Sequence, residues 1–196
     1  AQGVIDLEEL EAAIGDDTVL VSVMAANGEI GTVQPVAEAS RIAAEKDVPF
    51  HTDAVAAAGT LPLDVKELGV SALSISSDLI YGPQGVGALW VKRGLRVIPL
   101  LDGGVQEGGR RGGTENVAGI VGMGVAAEIA KRDMGERSKR LSALRDALIS
   151  ALPGRIEHLY LTGHPENRLA WNASFAVEFI EGEGMLLFLD QKGVSV

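Results

Sequence analysis

The chain has 196 residues, 46% of them hydrophobic and 22% charged, enough for one sizeable buried core or one domain plus part of a second. A formal net charge of −10 argues against nucleic acid and anionic membrane surfaces, which are bound through surplus Lys and Arg. With no cysteine, the chain carries no disulfide, no thiolate metal site and no sulfur nucleophile.

The first nine residues lack the basic region and apolar core of an export signal. Apolar stretches are interrupted by Gly, Asp or Glu well short of the ~18 residues a membrane span needs. A cytoplasmic protein without membrane contact is the expectation. Residues 6–14 read as a short acidic-fronted helix with Leu7, Leu10 and Ile14 on one side. The β-branched run 18–24 reads as a strand buried on both faces. Residues 35–46 have helical spacing through Val36, Ala39, Ile42 and Ala43, with Pro35 at the entry. Strands follow at 48–53, 72–76 and 86–91, with one helical turn at 64–68 and a tight turn at 82–85.

A Gly-rich loop over 103–113 leads to a long helical stretch over 114–152, with Thr114 as its N-cap and a break expected near 133–135. Pro153-Gly154 ends it, and the composition changes there. Residues 159–161 and 172–179 read as strands, and 182–193 as a helix. Residues 194–196 look like a strand beginning, and a first residue other than Met predicts a segment of something longer. The alternation predicts an α/β fold, a mostly parallel sheet flanked by helices, over residues 1–152. Residues 153–196 would then begin a smaller α+β domain.

In such sheets ligands bind where strands end at their carboxyl side, here at Asn27-Gly28-Glu29, Asp53-Ala54 and Ser76 to Leu79. Asp53 either caps the following turn or partners a protonated ring nitrogen. Asn27-Gly28 is either a plain left-handed turn or part of a ligand cradle. The Ser76 hydroxyl either donates to a phosphate or faces solvent. Arg110 and Arg111 before Thr114 would make an anion site if the loop folds around one. His158 and His164 have no carboxylate or Cys at metal-ligand spacing, so surface histidines are expected and no metal site.

The order of these motifs is more specific than any one of them. Asn27-Gly-Glu-Ile-Gly31, His51-Thr-Asp-Ala54, Ser76 with Ile80-Tyr-Gly-Pro83, Gly103-Gly-Val-Gln-Glu107, Arg111-Gly-Gly-Thr-Glu-Asn116 and Asn172-Ala-Ser-Phe175 together resemble the cysteine desulfurases of the class V aminotransferase group. The resemblance runs across the whole chain. It implies a fold-type I homodimer that uses pyridoxal phosphate to take sulfur from L-cysteine as a persulfide. An iron–sulfur scaffold protein is the expected partner. By position, Asp53 would partner the pyridinium nitrogen, Ser76 would hold the phosphate, and Thr114 would reach the phosphate of the other subunit.

The same alignment of motifs marks departures. Where the family has its cofactor-linking lysine this chain has Leu79, which cannot form a Schiff base. Asp78 replaces the adjacent histidine and sets an anion beside the phosphate position. Gly28 replaces the second asparagine of the first turn, and Ala56 the glutamine after the aspartate. The family's upstream phosphate loop and its persulfide cysteine fall outside these residues. The resemblance therefore implies a desulfurase-related chain that is inactive alone and has lost covalent cofactor binding. A non-catalytic desulfurase-derived scaffold is one form of that reading, and another class V aminotransferase or lyase is the alternative.

Overall fold

Four strands form the sheet: β1 (Val21–Met24), β2 (Phe50–Asp53), β3 (Ala72–Ser76) and β4 (Gly87–Val91), in that spatial order. These features come from a computed structural model that describes residues 2–196. β1, β2 and β3 are parallel, with Val21 beside Phe50 and His51 beside Ala72, while β4 returns antiparallel to β3 with Leu73 beside Trp90. The three parallel strands therefore deliver their carboxyl ends to one edge.

Alternation along the strands separates two faces. Val21, Phe50 and Leu73 enter the main core with Ala39, Ile42 and Ala43 of helix α2 (Val36–Glu45). Ala39 and Ala43 are fully buried, and their small side chains allow the helix to lie close on the sheet. Helix α1 (Leu7–Ala13) closes the same core with Leu7 and Leu10. It starts at Asp6, whose carboxylate accepts from the amides of Glu8 and Glu9 at 2.9 and 3.1 Å. On the opposite face Ser22, His51 and Ser74 form a polar chain. Ser22 Oγ lies 2.8 Å from His51 Nδ1, and Ser74 Oγ lies 3.2 Å from His51 Nε2.

Thr52 is fully buried on the core side, and its hydroxyl has no hydrogen-bond partner. An orphaned hydroxyl costs about 1–3 kcal/mol of desolvation. Thr52→Val is therefore expected to raise stability by about 1 kcal/mol, or ~3 °C in Tm, by thermal melting. A lower Tm would show that the hydroxyl has a partner in solution.

After β3 a single 3₁₀ turn, Asp78–Ile80, ends at Tyr81, which takes the left-handed conformation at φ 63°. The Gly-rich loop folds on itself around a kinked turn, α3 (Gln106–Gly109), in which Glu107 and Gly108 have positive φ. Within it the Gly112 amide donates to Leu101 O at 2.9 Å, and the Gly113 amide to Gln106 Oε1 at 3.2 Å. Thr114 is not the N-cap of the next helix. Asn116 is: its side chain accepts from the Gly119 amide at 3.1 Å.

That helix, α4 (Val117–Ala151), runs unbroken for 35 residues, roughly 50 Å at about 1.5 Å per residue. The expected break at 133–135 is absent because tertiary bonds hold the helix beyond it. Arg137 donates to Gly59 O, Ser138 to Thr60 O at 3.1 Å, and Arg145 to Leu169 O at 3.1 Å. Ala126 and Ala130 pack on Ile80, so α4 backs the turn that follows β3.

The last segment supplies β5 (Leu159–Leu161), paired antiparallel with β6 (Phe175–Val177), and helix α5 (Gly182–Gln191). β6 is shorter than the strand expected over 172–179, because Asn172 is buried and engaged elsewhere. Residues 194–196 form no strand. Leu169, fully buried, belongs to the same core as Phe50, so this segment is joined to the sheet by packing as well as by sequence.

Candidate functional site

The carboxyl ends of β1, β2 and β3 bring Asn27, Gly28, Asp53, Ala56, Ser76, Asp78 and Leu79 to one edge. Met24 lies beside Asp53 and Asp53 beside Ser74 in the strand register. Across this edge, a Cβ added at Gly28 would meet the Cβ of Ala56 at 3.7 Å and Trp171 Cη2 at 3.9 Å. Positions 28 and 56 are thus neighbours here, and neither carries a polar side chain. Thr114 is on none of these strand ends; it lies exposed on the loop before α4.

The first turn is built by residues far away in the chain. Asn27 Oδ1 accepts from the amides of Glu29 and Ile30 at 2.9 and 3.0 Å, so the Asn27 side chain is committed to the turn itself. Asn172 Nδ2 donates to Gly28 O at 2.8 Å and to Glu29 O at 3.1 Å. Buried Arg168 donates to Ile30 O at 3.2 Å, Thr162 O at 3.1 Å, His164 O at 3.1 Å, and both Asn172 O and Oδ1, at 3.0 and 2.9 Å. Burial, and then the nearby Arg145 charge, lower the Arg168 pKa, yet a guanidinium so far above neutrality stays charged. Asn172 opens one of the motifs read from the sequence, but nothing in local pattern marks Arg168 or Trp171, and the turn carbonyls that Arg168 and Asn172 hold lie more than 130 residues upstream.

Gly31 closes the turn at φ 81°, and a Cβ there would sit 2.5 Å from Asn172 Oδ1. Gly31→Ala is expected to cost on the order of 2 kcal/mol, combining the left-handed penalty with displacement of Asn172. Thermal melting would read this as a drop of roughly 4–8 °C; an unchanged Tm would contradict the packing described.

Asp53 is exposed at the end of β2, and its Oδ1 accepts from the Val55 amide at 2.9 Å. It therefore caps the turn after the strand while presenting a carboxylate at the sheet edge. The Ser76 hydroxyl donates to the Asp78 carboxylate, a contact inside the same loop. Leu79 is 44% exposed beside them. Ser77, between these residues, is fully buried with an unpartnered hydroxyl. His158 lies 3.5 Å from Glu178, and His164 Nδ1 accepts from the Glu166 and Asn167 amides, both away from this edge.

A mixed sheet with parallel strands flanked by helices, its strand ends gathered at one edge, defines an α/β protein. The profile of the family described as "Aminotransferase class-V" matches residues 1–196, and the chain belongs to that family. It is 49% identical over 195 residues to "Cysteine desulfurase IscS" of Dictyoglomus turgidum, covering 100% of this chain and 50% of that protein. It is 45% identical over 194 residues to "Cysteine desulfurase NifS" of Azotobacter vinelandii, covering 99% of this chain and 48% of that protein. Among solved structures, a "NIFS-LIKE PROTEIN" superposes with TM-score 0.94 at 38% identity, over 100% of this chain and 53% of that one. The chain thus spans about half the length of the curated relatives it matches.

The family depends on pyridoxal phosphate, and the residues at this edge do not fit that group. No amine lies on the strand-end loops, since the six lysines are at 46, 66, 92, 131, 139 and 192. Lys92 follows the end of antiparallel β4, and its amide bonds Ser71 O, at the opposite edge of the sheet from Asp53. The Ser76 proton is spent on a carboxylate rather than offered to a ligand. Gly28 and Ala56 provide no polar side chain.

Proposed function

We propose that this chain is a desulfurase-derived scaffold that keeps the frame of a pyridoxal-phosphate pocket without linking the cofactor. The observation that carries this reading is Leu79 standing half-exposed at the end of β3, with Asp78 bonded to Ser76 beside it. A lysine is the group that captures an aldehyde and moves the substrate proton, and a hydrocarbon side chain does neither. On this reading Asp53, Ser76 and Thr114 are retained remnants of a cofactor site, with Asp53 the ring-nitrogen partner and Ser76 the former phosphate ligand. Residues 1–152 form the large-domain segment and 153–196 the start of the small domain. The protein acts in the cytoplasm as a homodimer, alongside the sulfur supply from L-cysteine to an iron–sulfur scaffold protein. Among the described residues no helix is long and apolar enough to cross a membrane.

A second reading is favoured by length. Because the chain spans about half of the curated desulfurases cited above, groups outside residues 1–196, on the same or another polypeptide, could complete a working site. One assay addresses both readings. Purified chain with pyridoxal phosphate and L-cysteine is expected to release sulfide no faster than the cofactor alone. Sulfide turnover by the chain would refute the scaffold reading. Turnover appearing only with a co-expressed polypeptide would establish the second.

A further inference from the structure

We propose that Asp78 is a built-in anion that takes the place of a ligand phosphate, and so sets this strand-end edge to reject anionic ligands. The inference rests on the reading of Ser76 as the former phosphate ligand. A serine hydroxyl has one proton to give, and here Ser76 gives it to the Asp78 carboxylate two residues on.

The arrangement is held from below. The Tyr81 amide bonds Asp78 O at 3.0 Å, and the Gly82 amide bonds Ser77 O at 2.8 Å. Ser77 is fully buried, and Ile80 is clamped against Ala126 and Ala130 of α4. The backbone of the turn is thereby fixed, and the exposed Asp78 carboxylate accepts from Ser76. The charge around it has one sign. Glu29, Asp53 and Asp78 line the strand-end loops, while residues 27–31, 53–59 and 76–83 contain no Lys or Arg. Arg137, which lies over the Tyr81 ring at 5.7 Å, donates to Gly59 O and so anchors α4. An incoming phosphate meets a used donor and an uncompensated carboxylate.

The test is calorimetric titration of the full chain with inorganic phosphate, which has no aldehyde and is blind to whether a lysine is present. Its failure is therefore distinct from failure of the scaffold reading. Wild type is expected to show no saturable binding. Asp78→Asn and, as a second variant, Asp78→Ser are expected to gain phosphate affinity by at least about tenfold, the gain expected from removing a like charge a few ångströms away. The Ser76→Ala/Asp78→Asn double variant is expected to lose that gain. Far-UV circular dichroism selects the variants that are folded. Phosphate binding by wild type equal to that of Asp78→Asn would overturn the proposal. So would folded Asp78 variants without a gain, or a gain that survives loss of the Ser76 hydroxyl.

Discussion

Combining Leu79→Lys with Asp78→His is expected to convert a chain that loses all pyridoxal phosphate on dialysis into one that retains it. Two obstacles are removed together. At position 79 the side chain is half-exposed, so a longer amine-bearing chain has room to extend over the strand ends. At position 78 a fixed negative charge disappears and the Ser76 hydroxyl is released. Two like charges about 4 Å apart repel by roughly 1 kcal/mol in water and roughly 4 kcal/mol near a protein surface. Leu79→Lys alone is therefore expected to retain cofactor at least about tenfold more weakly than the pair. Absorbance of the dialysed protein in the visible range reads the result. Equal retention by the single and double variants would show that Asp78 does not oppose the phosphate.

Replacing Arg168 is expected to have the largest effect on stability. Its guanidinium satisfies four backbone carbonyls and the Asn172 side chain, tying the first strand-end turn to the segment that follows α4. Arg168→Met keeps much of the side-chain length but leaves those acceptors unpaired in a buried place. The expected cost is about 3–5 kcal/mol, a Tm drop of ~10 °C or more. Because Trp171 lies between Arg168 and Asn172 in sequence and reaches the Gly28–Ala56 shelf, its emission should shift to the red before global unfolding. A loss below 1 kcal/mol would mean that water replaces the guanidinium without penalty.

The sequence made the sheet legible where local pattern and burial agree. β3 was expected at 72–76 and lies there, and β2 fills the last four residues of its expected range. β1 starts three residues later than the apolar run suggested, because Val19 and Leu20 remain 84% and 50% exposed and make no ladder contact. The expected break in α4 rested on Gly135 and its charged neighbours, a local weakness. It was overruled by Arg137, Ser138 and Arg145 bonding to distant backbone, which no local pattern encodes. Residue type favours Thr114 as N-cap, but the helix begins three residues beyond it, at Val117, with Asn116 as its cap.

For the site, the motif order located the strand ends. It did not reveal that a side chain at position 28 would meet Ala56, nor that Ser76 is turned onto Asp78. The first depends on how parallel strands align, a property of register rather than of residue type, and the second on the side-chain conformation of Asp78 within its own loop. Asn27 illustrates the converse. Its plain reading as a turn residue is the one the hydrogen bonds support, since its side-chain oxygen is occupied by its own loop.

The most direct measurement is borohydride trapping of wild-type protein incubated with stoichiometric pyridoxal phosphate, followed by peptide mass mapping. No dominant adduct is expected, only scattered low-level labelling of the six lysines, none of which lies within the strand-end loops. A single lysine labelled to completion, and protected from labelling when the pocket is blocked by substitution at Gly28, would contradict it.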